Sequence, residues 1–286
     1  MSLSRKVSAV AMASMALVLV AGGAASARPR ADEPATPTPP GVADQASMVK
    51  LNNCSGGLVR FRNAQDTDKA MLLTNGHCME SGEPPMGTAV INKASSRTGT
   101  LLAPNGSSLG TVRATRILYG TMTNTDMALY ELTDTIGDIK TKYKTESLIL
   151  AEAGPKPGDK ITATSSYFKT NYRCQMTKQV YRVREGEWTW KDSISFTVTP
   201  QCKPGHGTSG SPILSDVTGE VVGVNNTGND DGEKCTDNNP CEVDENGTIS
   251  IDMKANYGQQ TFWAVTCENA DRKLDLKQAG CLLDPK

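Results

Sequence analysis

Histidine is nearly missing from this chain: among 286 residues there are two, His77 and His206. Imidazole is the side chain best matched to taking and returning a proton near neutral pH. Any imidazole-based acid–base chemistry here therefore has two candidates. Strong net charge is missing as well. Thirty basic residues face 31 acidic ones, and losing Arg5 and Lys6 with a cleaved leader would leave the mature chain about three charges negative. That balance excludes nucleic acid and anionic membrane surfaces as expected partners. No second long apolar run follows the one that ends near Gly23, which excludes a further membrane-spanning segment. Helical periodicity is weak before Asp271, and no internal repeat stands out. Both absences point away from bundles and repeat architectures.

What is present begins with an address. Arg5 and Lys6 precede an apolar stretch from Val7 to Gly23, and Ala25-Ser26-Ala27 follows in the small-residue pattern of a secretory cleavage site. Residues 1–27 read as a signal peptide, the mature chain as starting at Arg28, and the destination as extracellular. A retained anchor is disfavoured, because the apolar core is short and runs into small residues and prolines. Eight cysteines, an even number in an exported chain, indicate disulfides instead of metal thiolates. Residues 28–45 are rich in proline and poor in large apolar side chains, the composition of a linker or short propeptide. From Ala46 to the C-terminus, residues 46–286, the texture changes to short strand-like runs broken by Gly, Asn, Asp and Pro: GLVRF, AMLLT, GTAVI, TVRATRILYG and MALYEL, then KITATSSYF, KQVYRVR, SISFTVT, EVVGV and TFWAV. The pattern predicts an all-β antiparallel barrel or sandwich fold. The ~240 residues are enough for one large domain or two packed barrels. A short helix is expected over Asp271–Leu282.

The chemistry centres on a serine. Ser209 sits in GTSGSP, between Gly207 and Gly210, where glycines permit a tight turn that exposes the hydroxyl and turns backbone amides toward one point. A serine hydroxyl is not ionised near neutral pH, so a nucleophilic serine needs a base. His77, closing the apolar run MLLTNGHC, is the leading candidate, with a purely structural histidine as the alternative. His206 is the rival base, but it lies only three residues from Ser209 and is better read as lining a cleft or as an exposed loop residue. Asp126, in TNTDMALYEL, leads a polar turn into an apolar strand and could hold the imidazole tautomer. Its alternative is a turn cap among Thr123, Asn124 and Thr125. Ser211 competes with Ser209 for the nucleophile's role.

His77 followed by Cys78, Asp126 followed by Met-Ala-Leu, and Ser209 in G-x-S-G-S-P, in the order His, Asp, Ser, resemble the trypsin-like (chymotrypsin-fold) serine peptidases. The resemblance extends from Ala46 to the C-terminus. It implies two packed six-stranded antiparallel β-barrels, with His77 and Asp126 on the first and Ser209 on the second. It also implies an oxyanion hole from the amides of Gly207 and Ser209, and a Cys54–Cys78 disulfide, since CSGGL from Cys54 is similar to the family's bridging segment. VVGVNNTG, residues 221–228, resembles the strand whose edge pairs with substrate, which makes Asn226 and Gly228 substrate contacts together with His206. In this family pattern the first serine, Ser209, is the nucleophile and Ser211 a filler.

Two departures matter. Thr208 stands where animal relatives carry an aspartate, and no Ile-Val-Gly-Gly start appears, so activation by a buried amine is not expected. GTSGSP is closer to the GNSGSP of secreted bacterial glutamyl-endopeptidase-like enzymes. Counting back from Ser209 to the position of the family's pocket-base aspartate reaches Lys203, which would repel Arg and Lys side chains. The count depends on loop length beside Cys202, and a small or neutral pocket is the preferred reading. The carboxylate-rich segment 229–247 reads as a solvated loop and not as a calcium site. Cys235 with Cys241, Cys174 with Cys202 and Cys267 with Cys281 are the other pairings considered among many. The resulting expectation is a secreted, monomeric serine endopeptidase acting on protein or peptide, with no metal and no cofactor. A catalytically silent binding module and an esterase are the alternatives.

Overall fold

The computed structural model describes residues 44–285, and the expected signal peptide and most of the Pro-rich segment lie outside them. The packed region begins slightly earlier than the composition suggests. Gln45 is buried, its amide donating to the Pro104 carbonyl at 3.1 Å and its side chain to Asn171 Oδ1 at 2.7 Å.

Period-two alternation organises the first half. In SLGTVRATRILYGT, for example, Val112 and Ala114 turn inward while their neighbours meet solvent, and an irregularity in the register after Ala114 puts the next inward residue at Ile117. Eight strands form here: β1 (Met48–Lys50), β2 (Ser55–Arg60), β3 (Lys69–Thr74), β4 (Ala89–Ala94), β5 (Thr98–Leu102), β6 (Ser108–Thr121), β7 (Met127–Thr135) and β8 (Leu148–Ile149). Six close into a ring in the order β1-β5-β6-β7-β3-β2, with β1 pairing β2 to seal it. The strand β4 lies outside on β6. Helix α1 (Ile136–Tyr143) follows β7 directly, and its start is fixed by a capping box in which Thr135 and Asp138 exchange side-chain and backbone bonds. The weak helical periodicity of this stretch does not predict it.

The second half adds β9 (Lys160–Ser165), β10 (Thr170–Glu185), β11 (Trp188–Thr197), β12 (Pro212–Ser215), β13 (Val221–Gly228), β14 (Cys241–Val243), β15 (Ile249–Ser250) and β16 (Ala255–Gln260). Its ring runs β11-β16-β13-β12-β9-β10 and closes through β10 with β11, while β14 and β15 extend the sheet from β10. The chain is thus an all-β fold of two six-stranded barrels. Leu58, Leu72, Leu101 and Tyr130 fill the first, and Ile161, Met176, Ile194, Phe196 and Ile213 the second. A third cluster draws Val59, Leu73 and Leu129 against Leu214, Val224 and Trp263 and so joins the two. The connection between barrels is itself paired: β8 lies parallel on β2, and the Ala151 amide bonds the Val221 carbonyl at 3.0 Å.

Two expected elements change. TFWAV, read as a strand, contributes instead the one-turn helix α2 (Phe262–Val265). Trp263 and its neighbour Ala264 are both buried, which an alternating strand facing one core would not permit. The strand of that region is the polar-looking ANYGQQ just before it, buried along its whole length. The helix expected over Asp271–Leu282 is replaced by turns. Arg272 and Gly280 take positive φ, a disulfide from Cys267 to Cys281 closes the segment, and Leu274 and Leu276 pack on the joining cluster two residues apart. This segment returns to the first barrel, where Arg272 Nε donates to Asp68 at 2.7 Å. All eight cysteines are paired, as Cys54–Cys78, Cys174–Cys202, Cys235–Cys241 and Cys267–Cys281. Among the described residues no helix is long and apolar enough to cross a membrane.

Candidate active site

His77 leaves β3 on the turn after Thr74, and Asp126 is the last residue before β7, the strand beside β3. Neighbouring strands therefore deliver the two side chains to one rim of the first barrel. The Asp126 carboxylate is fully buried and holds the histidine twice. Nδ1–H of the imidazole donates to Oδ2 at 2.6 Å, and the His77 backbone amide donates to Oδ1 at 3.1 Å. That double hold fixes ring orientation and, with Nδ1 carrying the proton, leaves Nε2 as the nitrogen able to accept one. Burial pulls the imidazole pKa down, but the charge and hydrogen bond of Asp126, reinforced by Glu185 and Glu83, overcome it and raise it above the ordinary 6.5. Close approach at this turn requires glycine at position 76. A Cβ there would meet the Thr121 carbonyl oxygen at 2.0 Å and Asp126 Oδ1 at 3.0 Å.

Ser209 comes from the second barrel, on the turn into β12. Gly210 adopts φ +78°, and a side chain on it would run into the Ser55 carbonyl at 2.1 Å, so the turn tolerates only glycine. The turn is anchored from both barrels. The Ser55 amide donates to the Ser209 carbonyl at 2.8 Å, and the Gly210 amide donates to Asn75 Oδ1 at 2.5 Å. Asn75 Nδ2 in turn donates to the Asp126 carbonyl at 2.7 Å, so one buried side chain ties the Asp126 turn to the Ser209 turn. The amides of Gly207 and Ser209 donate to no other group among the described residues, unlike those of Thr208, Gly210 and Ser211 around them. Two unspent N–H groups beside a serine hydroxyl are what a developing oxyanion needs. The hydroxyl itself donates to the Asn226 carbonyl at 3.3 Å and not to the imidazole.

His77 and Ser209 line the same cleft, about 540 Å³ in volume, together with Lys203, His206, Asn226 and Gly228. Lys203 is solvent-exposed on that lining, so it is not a buried pocket base. His206 is exposed too, with its Nε2 bonded to Asp230. Asn226 is buried and presents its carbonyl to Ser209. Ser211 is fully buried, its hydroxyl donating to the Thr208 carbonyl at 2.6 Å, and is shut away from the cleft. Sequence reasoning missed Asn75, although it lies within MLLTNGHC two residues before His77, and it missed Glu185, Trp188 and Trp190, which come from a segment with no recognisable motif. The sulfurs of Cys54 and Cys78 lie within 4.8 Å of the His77 ring, but joined to each other they offer no thiolate, so this trio does not form a metal-binding set.

A family model described as a trypsin-like peptidase domain matches residues 54–224. Among solved structures, kallikrein-related peptidase 10 is 16% identical, with 80% of this chain and 95% of that one covered at a TM-score of 0.46. The MamO protease domain from Magnetospirillum magneticum is 11% identical, covering 76% and 92% at 0.44. Thermobifida fusca protease A is 16% identical, covering 76% and 90% at 0.41. No curated protein sequence matches this chain.

Proposed function

The chain belongs to the trypsin-like peptidase family, and from that premise we propose that it is a secreted serine endopeptidase working through Ser209, His77 and Asp126. In this reading Ser209 Oγ attacks a scissile carbonyl while His77 Nε2 takes its proton. The amides of Gly207 and Ser209 bind the oxyanion, and Asp126 stays ionised beside the imidazolium. Collapse of the tetrahedral intermediate breaks the C–N bond, with His77 returning the proton to the leaving amine. Water then enters with His77 again as base and releases the acyl group from Ser209. Each oxyanion donor is worth about 3 kcal/mol of transition-state stabilisation. Neither a metal nor a cofactor is required by these steps.

The observation that carries this reading is the double hold of buried Asp126 on His77, in the same cleft as a serine flanked by two unspent amides. The hydroxyl's bond to the Asn226 carbonyl, at 3.3 Å, is long for an O–H donor and easily given up when substrate arrives. The same bond is the one feature favouring a second reading, a catalytically silent module that uses the cleft only to bind. Export rests on the leader at 1–27, with 28–45 as linker or propeptide, 46–286 as the peptidase domain, and four disulfides suited to an oxidising compartment. The enzyme would act as a monomer on protein or peptide substrates, with Asn226, Gly228, Lys203 and His206 as substrate contacts. Labelling of Ser209 by a fluorophosphonate, lost together with peptide cleavage in Ser209→Ala, tests the hydrolase reading against the silent one.

A further inference from the structure

Glu185 ends β10 at the tip of the long hairpin, where it pairs with Trp188 of β11 across the Gly186-Glu187 turn. It lines the cleft that holds His77 and Ser209, and its charge reaches both His77 and Asp126. One carboxylate oxygen is already engaged, since Oε1 accepts the Asn238 amide at 2.9 Å. The other is not. Oε2 is withdrawn from solvent and makes no hydrogen bond of normal length. Burial raises the carboxyl's pKa against the opposing pull of the Thr227 hydroxyl, the Asn238 amide and His77.

A buried oxygen left short of hydrogen bonds on an ionisable group is costly to the folded state. Such a group in a cleft can take a further partner beyond the Thr227 hydroxyl and the Asn238 amide. Two features of the wall define that partner. Trp188 and Trp190 line the same cleft; Trp190 is buried in the core behind it, and the half-buried Trp188 offers an apolar face to an alkyl stem, while an indole ring attracts a cation set over it. Trp188, the cross-strand neighbour of Glu185, likewise has its Nε1 buried without an acceptor.

We propose that Glu185, with Trp188, forms a subsite beside His77 for a lysine or arginine side chain of a bound peptide, at a residue flanking the scissile bond. It is distinct from the position of Lys203, and it makes this cleft select charge at a second place along the substrate. The proposal rests on the endopeptidase reading for the identity of its guest.

Binding to Ser209→Ala separates the two claims, because no turnover is needed. Dye-labelled alanine hexapeptides carrying a single lysine, or norleucine of similar shape, at each position in turn are titrated by fluorescence anisotropy. One lysine position should bind roughly tenfold tighter than its norleucine counterpart at low salt, the gain falling as salt rises. Adding Glu185→Gln, which keeps an acceptor for Asn238, should erase that difference. Equal binding of lysine and norleucine peptides at every position, or a lysine preference that survives Glu185→Gln, overturns the proposal. Fluorophosphonate labelling of the wild type with no lysine preference would sink the subsite alone. A lysine preference in a chain that takes no label would sink the hydrolase reading and leave the subsite standing.

Discussion

Asn75 has no acid–base role, yet its two ends touch both halves of the site, Nδ2 on the Asp126 carbonyl and Oδ1 on the Gly210 amide. Replacing it by alanine strands the buried Asp126 carbonyl, at a cost of about 1–3 kcal/mol, while the Gly210 amide keeps its second bond, to the Asn225 carbonyl at 3.0 Å. Denaturant unfolding of Asn75→Ala should therefore show a loss of a few kcal/mol, accompanied by slower peptide cleavage, whereas an unchanged midpoint would mean the bridge is idle. At His77 the sign follows from charge. Imidazole acts as a base only when neutral, and the Asp126, Glu185 and Glu83 carboxylates raise its pKa above 6.5. Activity should fall as pH drops through a value above 6.5. Asp126→Asn removes the main raising charge and leaves burial to act, so the acid limb should move down while kcat falls about 10⁴-fold. A pH–rate profile of both proteins checks the direction.

Elements were legible where their pattern is local. Strands β3, β6 and β7 carry apolar alternation or runs bounded by polar turns, and the expected segments coincide with them. TFWAV misled because a short apolar run without alternation fits a strand and a buried helical turn equally. ANYGQQ was invisible because its buried polar side chains bond to partners far away in sequence, such as the Tyr257 hydroxyl to Glu242 at 3.1 Å and Gln260 Nε2 to the Asp192 carbonyl at 3.0 Å. The C-terminal segment misled for a different reason: closure by Cys267–Cys281 and its pairing with Asp68 outweigh whatever helical preference 271–282 possesses. That staple closes a loop of 14 residues, worth about 3 kcal/mol of unfolded-chain entropy. A Cys267→Ser, Cys281→Ser double variant should lower the melting temperature by several degrees while the Ser209 chemistry in the cleft persists. Equal melting temperatures would place the tether's stabilisation elsewhere.

At the scale of the molecule, the second barrel brings Ser209 to the cleft where the first holds His77 and Asp126, and the joining cluster of Val59, Leu73, Leu129, Leu214, Val224 and Trp263 lies between them. The residues proposed for the chemistry could be picked out because each sits in a short motif whose neighbours are constrained: glycines round Ser209, a cysteine after His77, an apolar strand after Asp126. The remainder of the cleft could not. Glu185 and the tryptophans reach it through a hairpin whose register, Glu185 opposite Trp188, is a property of the closed second barrel and not of any local signal. Asn75 matters only because a turn from the other barrel meets it.

The central claim is that the Ser209 hydroxyl, bonded at rest to the Asn226 carbonyl, becomes a nucleophile driven by His77. It is tested most directly by treating the purified chain with a fluorophosphonate and locating the adduct by peptide mass. The account predicts a single adduct on Ser209, absent from Ser209→Ala and strongly slowed in His77→Ala. An unreactive wild type, or an adduct that persists in Ser209→Ala, would contradict it.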